Sequence, residues 1–150
     1  MKKTVKILSF LLVFVMMAVV LTSCSKYSAL KSAFENKGYK ENTSLEGVAN
    51  TIKTELEKEN LVVTLHLLTK ESNGLTSVLI VEFQSNEDMA KAYEESETIK
   101  GLVKDVQNSE DVKKMCEALE NAGYAKGNCL CVPLSILYIN EITSIVKDVK

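Results

Sequence analysis

The chain has 150 residues, 46% of them apolar and 25% charged, with one Pro, six Gly and no Trp. That balance excludes a collagen-like fibre, a disordered tail, a repeat array and a multi-domain enzyme. All 18 basic residues are Lys, set against 20 acids, so the planar fork that usually grips phosphate in a bidentate way is missing.

Lys2, Lys3 and Lys6 precede an apolar run over residues 7–21 whose one polar side chain is Ser9, and the small residues Thr22 and Ser23 follow. As a helix that run covers about 22 Å, short of the roughly 30 Å hydrocarbon core, so it reads as a signal peptide rather than a permanent span. Its end, Leu21-Thr22-Ser23-Cys24, resembles the lipobox of bacterial prolipoproteins. The Lys-rich, Arg-free chain is similar to small uncharacterised lipoproteins of low-GC Gram-positive bacteria. The resemblance implies a diacylglycerol on the sulfur of Cys24, cleavage just before it, and a place on the extracytoplasmic face of the cell membrane. One acyl chain binds reversibly, whereas two or three make release negligible. The expected organisation is a signal peptide over 1–23, a lipidated Cys and short tether over 24–26, and a single α+β domain over 27–150. Without the leader, 15 Lys oppose 20 acids. An acidic domain of this kind lacks the basic face that nucleic acid requires.

Tyr27, Leu30, Ala33 and Phe34 recur at helical spacing and stop at Gly38. With Gly38 as the left-handed residue past the helix end, Phe34 and Tyr39 take the places that pack together in a Schellman cap. Thr43 and Glu46 have capping-box spacing, and Leu45, Val48, Ala49, Ile52 and Leu56 give a second helix ending near Asn60. Residues 61–69 and 75–84 are β-rich runs flanking Asn73-Gly74, a hairpin whose two faces are both apolar and call for helices on each side. Ser85 caps a helix with the stripe Met89, Ala92, Tyr93, Ser96, Ile99, Val103 and Val106, broken at Gly101, and Ser109 caps the next. Val112, Met115, Cys116 and Leu119 lead to Gly123-Tyr124, so that residues 118–124 repeat the stop signal of 33–39. Residues 128–133 read as a third strand limited by Pro133, and 134–139 fit strand or helix equally. Ile139, Ile142, Ile145, Val146 and Val149 close the chain as a helix. The order α-α-β-β-α-α-β-α makes an α+β layer of about three antiparallel strands, with a ferredoxin-like variant as a special case.

Outside the cell, Cys116, Cys129 and Cys131 are disulfide candidates. Cys129 and Cys131 lie roughly 6.6 Å apart along one strand face, too far to bridge each other, so a bridge would run from Cys116 to one of them. Three buried small hydrophobes is the competing reading. A zinc site from these thiols and His66 has a poor chelate spacing, and no metal or cofactor is expected. His66 lies between two leucines of a strand. A two-residue turn sets it opposite Val81, and one step of register sets it opposite Glu82, the minimum pair for acid–base work. A structural His is the competing reading. No serine-hydrolase, metalloprotease, phosphate-loop or dinucleotide pattern is present. The acids Glu55, Glu57, Glu59, Glu94, Glu95 and Glu97 read as solvated helix faces. The expectation is a membrane-anchored binding module for an envelope protein or a small ligand. The alternatives are a small envelope enzyme using His66, or a structural or redox role for the three thiols.

Overall fold

A computed structural model describes residues 26–43, 46–103 and 112–150. The lipobox with Cys24, and the expected roles of Leu45, Val106 and Ser109, lie outside these residues. Helix α1 (26–35) ends at Gly38 and leads into β1 (Tyr39–Glu41). Gly38 has φ +83°, and Phe34 meets Tyr39 edge to face with ring centroids 5.1 Å apart. Helix α2 (Glu46–Lys58) ends in the same fashion with Asn60 at φ 60°, Leu61 N donating to Leu56 O. An Asn tolerates that left-handed conformation because its short side chain bonds locally.

Strands β2 (Val63–Lys70) and β3 (Ser77–Phe83) form the central hairpin. Ser85 then caps α3 (Asn86–Glu95) by accepting from Asp88 N at 3.0 Å. The long helix expected to run through Ser96 and break at Gly101 instead breaks at Ser96, which caps α4 (Glu97–Leu102). Helix α5 (Val112–Ala122) stops at Gly123 in a full Schellman pattern, Tyr124 N donating to Leu119 O and Gly123 N to Glu120 O. Strands β4 (Ala125–Lys126) and β5 (Cys129–Pro133), a 3₁₀ turn (Ile136–Tyr138) and α6 (Ile139–Asp148) complete the chain, which resolves the ambiguous stretch 134–139 as loop and turn.

The fold is α+β, with six helices and one antiparallel sheet in the order β1-β2-β3-β5-β4 among the described residues. There are thus five strands rather than about three. The two extra ones, β1 and β4, follow the Gly38 and Gly123 stops, where the chain reverses along a sheet edge. The ferredoxin-like strand order is not formed, because β1 lies at the edge of the sheet against β2; a split βαβ arrangement occurs only between β3 and β4, which run parallel with β5 between them.

Alternate residues of the central strands point to opposite faces. On the first face Leu79, Val81, Phe83, Leu130 and Val132 pack with Leu56, Met89, Tyr93, Ile99 and Leu119. On the second, Leu68, Val78, Ile80, Cys129 and Cys131 pack with Leu30, Phe34, Ile142 and Val146. Both faces are covered by helices, which is why β3 is buried almost throughout.

Candidate functional site

The hairpin does not turn in two residues at Asn73-Gly74. Thr69 pairs with Ser77, Lys70 N donates to Thr76 O, and Asn73 Oδ1 accepts from Leu75 N. This longer loop sets His66 opposite Ile80, neither of the two registers expected. Glu82 lies two residues further along the same face, a diagonal neighbour within reach of a long side chain. Its Oε2 is 3.1 Å from His66 Nε2.

Helix α1 closes over this pair. The ring of Tyr27 stacks on that of His66, and its hydroxyl donates to Glu41 Oε1 at 2.6 Å. Lys31 Nζ donates to the other Glu41 oxygen at 2.9 Å. His66 Nδ1 faces the same carboxylate at 3.8 Å. The Lys31 and Tyr27 hydrogen bonds hold the Glu41 carboxyl below its ordinary range, and burial together with Glu41 pushes the Tyr27 phenol far up, so it stays a donor. A general base needs a ring nitrogen turned toward a substrate. Here both nitrogens face carboxylates of the chain itself, and the side chain is 16% exposed. The cluster's evident work is to fasten α1 to the sheet.

The thiols divide between the two faces. Cys116 packs on the first face, whereas Cys129 and Cys131 belong to the second. All three are free. Burial, with Glu82 alongside, pushes the Cys129 thiol up to about 12, and burial raises Cys131 well above its ordinary value. Neither is a thiolate at neutral pH, so neither has the character of a nucleophile or a resolving cysteine. The paper zinc set of these three with His66 is not brought together. Among the described residues no group of three or more His, Cys, Asp or Glu is placed to hold a metal ion.

A different feature separates the ends of the sheet. At one pole lie the start of β2, the end of β3 and the β4–β5 turn, where the stem of Lys26 runs over Gly127 so closely that a Cβ there would meet its Cγ at 2.8 Å. At the other pole lie the loops 71–76 and 134–138, tied together by Asn73 Nδ2 donating to the Tyr138 hydroxyl and by Leu134 N donating to Ser77 O. Those loops carry Leu75, Ile136 and Leu137, which are 80%, 86% and 85% exposed. The two poles are about 20 Å apart along β3 at roughly 3.3 Å per residue.

No family model, curated protein or solved structure matches the chain. Among the described residues no helix is long and apolar enough to cross a membrane.

Sequence reasoning missed two features. Glu59, read as part of a solvated face, accepts from the Ser96 hydroxyl and from Thr98 N and Oγ1 at 3.3 and 3.0 Å, and so fastens the start of α4 to the end of α2. An exposed apolar or concave patch away from the Cys24 end is what a binding module implies, but the residues of the apolar pole were not picked out. The pole's only sequence signal is large aliphatic residues in segments without regular periodicity, Leu75 beside Asn73-Gly74 and Ile136-Leu137 after Pro133.

Proposed function

We propose that the protein is a lipid-anchored extracytoplasmic binding module, moored to the cell membrane by diacylglycerol on Cys24 and engaging an envelope partner through the pole farthest from Lys26. The observation that carries this reading is the placement of Leu75, Ile136 and Leu137, strongly exposed, at the end of the sheet opposite Lys26. Only Ser25 separates Lys26 from Cys24. An anchor there holds the Gly127 turn against the bilayer and turns the aliphatic loops outward. Large aliphatics clustered at an exposed end carry a solvation cost that a contact surface relieves. The alternatives have less support, because His66 Nε2 is bonded to Glu82, its Nδ1 faces Glu41, and the Cys129 and Cys131 thiols are buried and protonated.

The test is photo-crosslinking in intact cells, with a benzophenone amino acid placed at Leu137 and, as control, at the exposed Glu94 of α3. A discrete adduct from Leu137 and none from Glu94 supports the module. No adduct from either position, in a protein whose mass carries the lipid, removes the partner. A native amino terminus at Met1, or a bare sulfhydryl at Cys24, removes the anchor.

A further inference from the structure

The hydrogen-bond direction of β2 can be followed residue by residue. Leu67 O accepts from Asn42 N at 2.9 Å on the β1 side, whereas Lys70 N donates to Thr76 O on the β3 side. Strand alternation then directs the N–H and C=O of Val63 and Leu65 to the β1 side as well. The β1 ladder ends with Glu41 opposite Leu68 and the bond from Asn42 N to Leu67 O. Among the described residues no strand pairs with Val63 or Leu65 on that edge.

Edges of this kind are ordinarily blunted with Lys, Pro or a bulge. Residues 61–66 read Leu-Val-Val-Thr-Leu-His and contain neither Lys nor Pro. Immediately beside the edge is a cleft of about 440 Å³ between α2 and β2, lined by Ala49, Asn50, Lys53, Val63, Thr64 and Leu65. A main-chain edge next to a side-chain cleft is the arrangement by which a sheet accepts a peptide as an added strand.

We propose that the open edge of β2 at Val63 and Leu65 takes an extended peptide of another protein as an additional strand, with one apolar side chain of that peptide in the α2–β2 cleft. Lys53 and Asn50 on the rim favour a carboxylate next to that residue. Lys53 is available for it, since its partner Glu57 is 3.9 Å away and both side chains are half exposed. A second copy of the chain fits less well. Self-pairing through so short an edge falls far below the roughly 1,600 Å² of a stable interface. It is also opposed by geometry that rests on the anchoring proposed above: an antiparallel copy centred on Thr64 extends past the Lys26 pole into the bilayer.

The probe is a short synthetic peptide alternating valine with threonine and glutamate, titrated onto the full lipidated chain in nanodiscs, with amide hydrogen exchange as readout. Protection is expected at Val63 and Leu65. N-methylation of the peptide on alternate amides should abolish binding in one phase of the alternation and spare it in the other. Val63→Pro removes an outward N–H at the first position of a strand, where Pro is tolerated. It should weaken binding by roughly tenfold, the loss of a main-chain bond, without lowering the unfolding temperature appreciably. Lys53→Glu should weaken the glutamate peptide and favour its lysine counterpart. Binding indifferent to N-methylation and to Val63→Pro overturns the proposal. So does protection of these amides that grows with protein concentration in the absence of peptide, which indicates self-association. The chain's mass reports the anchor separately, so either reading can fail alone.

Discussion

Tyr27 lies flat on His66, ring centroids 3.5 Å apart and planes inclined by 14°. The contact joins the first turn of α1 to the middle of β2, next to the end of the chain that carries Cys24 in the anchored form proposed here. Aromatic pairs contribute about 0.5 to 1.5 kcal/mol beyond the area they bury. A double-mutant cycle of Tyr27→Leu and His66→Leu, followed by urea unfolding, should return a coupling in that range. A coupling of zero means that the stack is incidental and that α1 is held by Leu30, Phe34 and the hydrogen bonds to Glu41.

Acid should loosen the same helix. The carboxyls of Glu41, Glu59 and Glu141 are all held below their ordinary value of 4.5, first by hydrogen bonds from Lys31, Ser96 and Lys70 respectively. A carboxyl depressed in the folded state adds stability above its unfolded value and loses it as the pH falls through the folded one. The unfolding temperature is therefore expected to hold down to about pH 5 and fall below it. Glu41→Gln should lower it at neutral pH and flatten part of the acid slope. An unchanged slope in the triple Gln variant assigns acid lability to other groups.

The thiols give a chemical check on the sheet faces. In the native protein at pH 8, Cys116 should react slowly with a thiol reagent, while Cys129 and Cys131 stay silent. Denaturing the unreduced chain should then expose the thiols of Cys116, Cys129 and Cys131 together. A single titratable thiol among them indicates a bridge that crosses the sheet, against the division of faces described above.

Two helices stop by the same chemistry and should nevertheless respond differently to one methyl group. Gly38 at φ +83° has nothing within 4 Å of an added Cβ, whereas at Gly123, φ +85°, that Cβ falls 2.3 Å from Thr143 O. Gly38→Ala should cost about 1 to 2 kcal/mol, the left-handed penalty alone. Gly123→Ala should cost roughly 2 kcal/mol more, because the backbone of α6 must move. Equal losses by thermal unfolding indicate that α6 can withdraw freely.

These stops show what was legible beforehand. Gly38 with Phe34 and Tyr39, Gly123 with Leu119 and Tyr124, and Ser85 before Asp88 are local signals, and the local chain acts on them. The β1 and β4 strands carry no signal of their own. They are strands because a left-handed glycine sends the chain back along an edge. Ser96 looked like one more small residue on a helical stripe, and it became a cap because Glu59, distant in sequence, takes its hydroxyl. The meeting of His66 and Glu82 depended on loop length. A turn built around Asn73 with an Asx bond moved the register so that the pair became diagonal rather than opposed.

Tyr93 tests the interior of the first face. It is 2% exposed in the cluster of Val81, Met89 and Leu130, and its hydroxyl has no hydrogen-bond partner among the described residues. A buried hydroxyl without a partner costs about 1 to 3 kcal/mol of desolvation, while the ring beneath it contributes favourable packing. Removing only the oxygen keeps the second and abolishes the first. Tyr93→Phe is therefore expected to raise the unfolding free energy by about 1 kcal/mol. The urea midpoint should move up with the slope unchanged, since the surface exposed on unfolding stays the same. A fall in the midpoint shows that the hydroxyl is satisfied in solution and that its bond contributes more than its burial costs.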